Sequence, residues 1–291
     1  LCEAFSRTSS IIVLSSMALI GRELAPHAAL ATLPLALAPV TTMLVTVPAA
    51  RLMQRRGRKV GFVLGAVLGM VGGLVGCAAL FNEHFALLCV GAVGIGAVNG
   101  FSTYYRFAAA EVVDESRRSR AISLVMAGGI VAAVAGSNLA SWSRGLFPEH
   151  LFAGSYLAIA GIQVLVLCAL SFVRFPAPSV AESAGGGRSL REIARDARFV
   201  TALVGAVASW AVMSLLMNAT PLSMQRHMHS FDDTAWVIQW HVLGMFVPSF
   251  FTGHLISRFG EGRIMASGLL LLALSAFTNL GGVALHNYAV G

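Results

Sequence analysis

Nine stretches of the chain, at roughly 1–21, 28–50, 60–81, 86–109, 121–142, 152–173, 199–222, 235–256 and 264–286, run for about 20 residues with almost no charge. No other feature limits the fold so strongly. About 20 mainly apolar residues make a helix long enough to cross the hydrocarbon core of a bilayer. A helix also satisfies its own backbone groups there, where water cannot. Strands of a membrane barrel would alternate apolar and polar residues over about 10 positions, and these segments do not. Composition agrees: 57% of the 291 residues are hydrophobic and 11% charged, against about 25% charged in soluble domains. Mean hydropathy is +0.77. The expected fold is an all-α membrane protein, a polytopic helical bundle of about nine transmembrane helices.

The cations gather between the apolar stretches. Residues 50–69, "ARLMQRRGRKVGFVLGAVLG", hold Arg51, Arg55, Arg56, Arg58 and Lys59. Placing residues 51–59 in the cytoplasm and alternating sides from there adds Arg117, Arg118, Arg120, Arg174, Arg188, Arg191, Arg195, Arg198, Arg258 and Arg263 to the inside. Only Arg22, Arg144 and Arg226 fall in outside loops. Such asymmetry orients helical proteins in the cytoplasmic (inner) membrane, so loop 51–59 is first of all a topology anchor. The net charge of +7 does not imply a nucleic-acid partner, because the cations lie in gaps and form no continuous basic face. Of Cys2, Cys77, Cys89 and Cys168, three sit inside apolar segments without metal-ligand spacing, so they read as small packing residues. The first residues lack the basic region and cleavage site of a signal peptide, and the chain begins at Leu1, as a fragment would.

The longest hydrophilic stretch, "RFPAPSVAESAGGGRSLREIARDAR" from Arg174, passes through Pro176, Pro178 and Gly185–Gly187 and ends in an amphipathic pattern. It predicts a cytoplasmic central loop over 174–198 with a short surface helix. Residues 1–173 then form a six-helix unit, and 199–291 the first three helices of a second.

The opening loop has an echo. "GHLISRFGEGRIMASG", residues 253–268, matches it at an offset of 203, with Arg258 on Arg55, Gly260 on Gly57 and Gly268 on Gly65. Both copies follow the second span of a half, as in secondary transporters built from two related halves. At these residues the chain resembles the major facilitator superfamily, whose loop between helices two and three reads Gly-x-x-x-Asp-Arg-x-Gly-Arg-Arg/Lys. Here the pattern is Ala50, Gln54, Arg55, Gly57, Arg58 and Lys59, and later Gly253, Ser257, Arg258 and Gly260. "ESRRSRAISLVMAGG" from Glu115 also looks like the family's loop between helices four and five, at Arg118, Arg120 and Ala121. The resemblance implies a 6+6 inverted, pseudo-symmetric architecture, with Leu1 near the start of helix one and the chain stopping after helix nine. It also gives Arg55, Gly57, Arg58, Lys59, Arg258 and Gly260 a role in conformational gating.

The departures are informative. Gln54 and Ser257 stand where the family places an acid that latches the halves on the cytoplasmic side, so a weaker or rewired latch is implied. The Arg of proton-coupled drug exporters is missing near Val90, and their helix-five Gly-Pro appears as Gly136-Ser137. The chain therefore looks closer to bacterial permeases than to drug–proton antiporters, with a riboflavin-type uptake carrier as one expectation.

Polar groups at membrane depth are costly and mark functional sites. In the fourth span Asn99, Ser102, Thr103 and Arg106 sit at i, i+3, i+4 and i+7, a spacing that puts them on one helix face. Arg106 would bind an anionic group or a carboxylate there, or else snorkel to the interface beside Glu111. Glu3 and Arg7 are four apart and form either a proton-coupling pair in the membrane or an interfacial pair. In the seventh span Trp210, Ser214, Met217, Asn218 and Pro221 share a face, and Pro221 can bend the helix. The eighth span adds Gln239, and His241 as a protonatable group or a hydrogen-bonded packing residue, with Trp236 and Trp240 near an outer aromatic belt.

Gly61, Gly65, Gly69 and Gly73 read as a small-residue packing stripe. Asp232 and Asp233 read as solvated charges, and His227 with His229 is thin evidence for a metal. The expected function is secondary active transport of a small solute, coupled to protons and without cofactor or metal. A non-transporting receptor or scaffold of the same fold, and an inactive fragment, are the alternatives. An enzyme is disfavoured, since no HExxH, intramembrane Asp pair or Ser–His motif is present.

Overall fold

The structure is a computed structural model that describes residues 1–114, 117–173, 175 and 190–284. Arg174, Pro176, Pro178, Gly185–Gly187, Arg188, Glu115 and the end of the ninth predicted span lie outside the described residues. Within them are twelve α-helices: α1 (Cys2–Leu24), α2 (Leu33–Arg56), α3 (Arg58–Phe81), α4 (Phe85–Ser102), α5 (Tyr105–Glu111), α6 (Arg118–Ser143), α7 (Ala153–Phe172), α8 (Leu190–Ile193), α9 (Ala197–Arg226), α10 (Phe231–Phe246), α11 (Ser249–Phe259) and α12 (Glu261–Ala284).

Among the described residues, eight helices are long and apolar enough to cross a membrane. The expected ninth, the eighth predicted span at 235–256, is laid out instead as α10 and α11. The cause is Pro248, which has no N–H to give the carbonyl four residues back. Its own carbonyl accepts from Phe251 N (2.9 Å) and Thr252 N (3.0 Å) to begin α11. The fourth span is likewise interrupted by a turn at Thr103–Tyr104 between α4 and α5.

The described helices group into two compact units, one of α1–α7 with α10, the other of α8, α9, α11 and α12. In the first unit α1 is the most deeply buried span. Small residues of α6 admit it: a Cβ on Gly136 would lie 2.8 Å from Ile11 Cβ, and one on Gly128 3.1 Å from Ala4 N. Helix α3 lies against α4 and α7 in the same way. A Cβ on Gly72 would meet Gly91 O at 2.9 Å, and one on Gly73 would meet Ala160 N at 2.8 Å. Close approach of this kind is what small residues contribute in lipid, where apolar burial alone gives little drive for helix association. At one end of α3, Phe62 stacks on Tyr105 with ring centroids 4.3 Å apart, over buried Met53 and Ala49.

In the second unit α12 packs on α9 and α11. Leu270, Leu271 and Leu274 of α12 are exposed, as are Val40, Met43, Leu44 and Val47 of α2 in the first unit. These are side chains that hydrocarbon would cover.

The repeat seen in the sequence has a backbone counterpart. Gly57 joins α2 to α3 at φ 92°, ψ 156°, and Gly260 joins α11 to α12 at φ 84°, ψ 154°. That conformation is essentially confined to glycine.

Candidate transport site: a polar helix face and a two-helix cleft

Helix α1 carries an unusual number of hydroxyls for a buried span. Thr8, Ser15 and Ser16 bond to the carbonyls four residues back, at 2.8, 2.9 and 2.7 Å. This local bonding makes a hydroxyl tolerable without water. Two residues reach across the bundle. Ser10 Oγ donates to Asn99 Oδ1 of α4 (2.9 Å), and Ser9 Oγ accepts from Gln163 Nε2 of α7 (3.1 Å). Gln163 is fully buried, and its Oε1 has no partner among the described residues. Sequence reasoning missed Ser9, Ser10 and Gln163. A lone amide inside "AGIQVLVLC" was the available signal.

Glu3 lies on the same helix, 7% exposed. Its Oε1 receives Arg7 Nε at 2.8 Å, while Oε2 is buried without a described partner. Arg7 is more open, so the pair is dry on its acidic side only. A carboxylate with one charge-assisted bond and one bare oxygen is an unfinished site, able to accept a proton or a donor.

In the fourth span Asn99, Ser102 and Thr103 stay together, since Ser102 Oγ and Thr103 Oγ1 both bond the Asn99 carbonyl at 3.1 and 3.0 Å. Thr103 and Tyr104, both with right-handed helical dihedrals, form the turn that leads to α5 and Arg106. Arg106 is exposed and sits over the ring of its neighbour Phe107, 4.9 Å from the centroid.

Helices α6 and α10 flank an open groove of about 440 Å³ lined by Ser137, Asn138, Ser141, Trp142, Asp232, Trp236 and Gln239, among others. The volume falls within the range of small-molecule sites. On α10 the lining positions 232, 236 and 239 recur at helical spacing, which aims one face at α6. Gly129 of α6 fixes the approach, because a Cβ there would meet the Phe246 ring at 2.5 Å. Asn138 Nδ2 donates to Gln239 Oε1 (3.2 Å) and to Val134 O (2.7 Å). Asp232, expected to be merely solvated, is part of this lining. Trp236 and Trp240 meet edge to face, 5.9 Å apart. His241 is not part of the lining; its Nε2 is buried without a described partner.

The cationic loop is partly built into the fold. Arg58 forms a two-pronged ion pair with Glu111 at the end of α5, with Nε 3.0 Å from Oε2. Its guanidinium also lies 5.9 Å from the Tyr104 ring. Lys59 Nζ reaches Ser171 O (3.3 Å) and Val173 O (3.2 Å), so it caps the C-terminus of α7. Arg55 is exposed. In the second unit Arg258 sits over Phe259. Asn218 is half-buried on α9 next to buried Met217, whereas Trp210 is largely exposed.

Long apolar helices packed through glycine, with buried amides, hydroxyls and a carboxylate, define a multi-pass membrane protein. Residues 1–290 match the sequence model of the Major Facilitator Superfamily, and the chain belongs to that family. It is 41% identical over 286 residues to the riboflavin transporter RfnT of Brucella anthropi, covering 97% of this chain and 71% of that protein. It is 29% identical over 258 residues to the uncharacterized MFS-type transporter YddS of Bacillus subtilis, covering 80% of this chain and 56% of the relative. With YdeG of the same organism, also an uncharacterized MFS-type transporter, it shares 29% over 275 residues, covering 88% and 63%.

Proposed function

We propose that the protein carries riboflavin or a close flavin relative across the inner membrane by alternating access. The observation that carries this reading is the 41% identity with the Brucella riboflavin transporter along nearly the whole chain. The orientation places residues 51–59 in the cytoplasm, on the strength of the cation asymmetry. Residues 1–173 and 199–291 belong to the two halves that rock about the site, joined through 174–198. The paired glycines Gly57 and Gly260 support that division.

Proton coupling is assigned to Glu3. Protonation at the bare Oε2 neutralises the carboxylate and releases Arg7, and loss of the proton restores the pair. Two turns along the same helix, Ser10 bonds Asn99 of α4. Asn99, Gln239 and His241 are the polar side chains of the first unit offered to the substrate, with Arg106 retained as a candidate; Asn218 is a separate candidate on α9 of the second.

The test is riboflavin uptake by the protein in sealed vesicles under an imposed proton gradient. Accumulation is expected for the wild type. Glu3→Gln is expected to abolish gradient-driven accumulation while leaving riboflavin exchange between compartments. Full accumulation by Glu3→Gln would remove Glu3 from coupling, and absence of uptake under any gradient would remove the flavin. Normal uptake by Arg106→Ala would take Arg106 out of the site.

A further inference from the structure

The α6–α10 cleft has a hydrogen-bonding pattern specific enough to name a ligand chemistry. An amide nitrogen has two protons. Both protons of Asn138 Nδ2 are committed, to Gln239 Oε1 and to Val134 O. That fixes the orientation of both amides and leaves Asn138 Oδ1 as an acceptor beside the two protons of Gln239 Nε2. Ser137 also lines the cleft, but its hydroxyl oxygen is buried out of a ligand's reach. Two indoles, Trp142 and Trp236, line the same cleft and are more than half exposed, so their faces are open to a flat partner. No cation is present among the described lining residues, and Asp232 is the one charge. An anionic ligand is therefore disfavoured.

An acceptor beside a donor pair complements a ring edge in which an N–H adjoins a carbonyl. We propose that this cleft binds the cyclic imide edge of a neutral, planar heteroaromatic ring. Asn138 Oδ1 accepts from the ring N–H, Gln239 Nε2 donates to an adjoining carbonyl, and Trp142 and Trp236 flank the ring plane. The proposal rests on the flavin reading above, under which the ring is the isoalloxazine and the edge is its N3–H with the neighbouring carbonyls.

Gln239→Glu is the sharpest variant. It has the same shape and keeps an oxygen for Asn138, but replaces the donor aimed at the ligand with an acceptor. The assay is equilibrium titration of the purified protein with riboflavin and with N3-methylriboflavin, read by quenching of flavin fluorescence. Expected are a roughly tenfold weaker riboflavin Kd for Gln239→Glu and a similar weakening for Asn138→Leu. Wild type should bind N3-methylriboflavin about tenfold more weakly than riboflavin, and Asn138→Leu should no longer distinguish the two. That loss of discrimination counts only where Asn138→Leu still binds riboflavin measurably, which a misfolded variant would not. If wild type binds riboflavin and both variants bind it equally well with discrimination intact, the cleft assignment is overturned and the flavin reading stands. If wild type quenches neither flavin, both are overturned.

Discussion

Gly260→Ala isolates the cost of the backbone conformation that Gly260 shares with Gly57. Gly260 sits at φ 84°, ψ 154°, and a Cβ added there meets nothing within 4 Å. Any penalty therefore comes from the dihedrals alone. Residues forced into such sparsely populated regions cost about 1–3 kcal/mol, or roughly 5- to 150-fold in the ratio of folded to unfolded protein. The control is Gly268→Ala, eight residues on inside α12, where a Cβ also meets nothing within 4 Å. Alanine there is expected to be neutral or to stabilise by up to about 1 kcal/mol through helix propensity. The assay is reversible unfolding in mixed micelles, followed by loss of helical signal. Gly260→Ala should unfold at clearly lower denaturant and Gly268→Ala at the same or higher. Gly57→Ala should behave as Gly260→Ala does, because its φ and ψ agree within about 10°. Wild-type stability of Gly260→Ala, or an equal loss in Gly268→Ala, would refute the reasoning.

Gly72→Ala should destabilise by about 1–3 kcal/mol and lower the folded yield on size-exclusion chromatography, because its Cβ would press on backbone atoms of Gly91 and Gly94 at 2.9 Å. Gly161→Ala, with nothing within 4 Å, should elute like the wild type. Gln163→Leu removes a buried carbonyl oxygen that has no described partner, while Ser9 keeps its bond to Phe5 O. Its midpoint in the same unfolding assay should equal or exceed that of the wild type, and a loss above about 2 kcal/mol would contradict this reading. A double-mutant cycle on Arg58→Gln and Glu111→Gln should give a stability coupling below about 1 kcal/mol that fades with salt, since the pair is partly exposed.

Much of the architecture was legible because it depends on local properties. Span length and apolarity are read residue by residue, and a bilayer converts them directly into helices. Gly57 and Gly260 were legible for the same reason, since a linkage with φ near 90° demands glycine wherever it occurs. The break in the eighth segment was written in Pro248 but hidden by the unbroken apolarity around it. Apart from Glu3 and Arg7, four apart on one helix and paired at 2.8 Å, the site partners were not legible. Ser10 meets Asn99 across 89 residues, Arg58 meets Glu111 across 53, and Asn138 meets Gln239 across 101.

By itself, then, the sequence determined that this chain crosses a membrane as helices, which way its loops are biased, and that its halves repeat a glycine-hinged loop. Only the tertiary structure decided which buried polar groups are satisfied, that Glu3 keeps one bare oxygen, and that α6 and α10 frame a cleft. The physical reason is that apolarity and charge act on each segment separately. Hydrogen-bond satisfaction belongs to pairs of groups, and a pair exists only once packing has brought its members within 3 Å or so of each other.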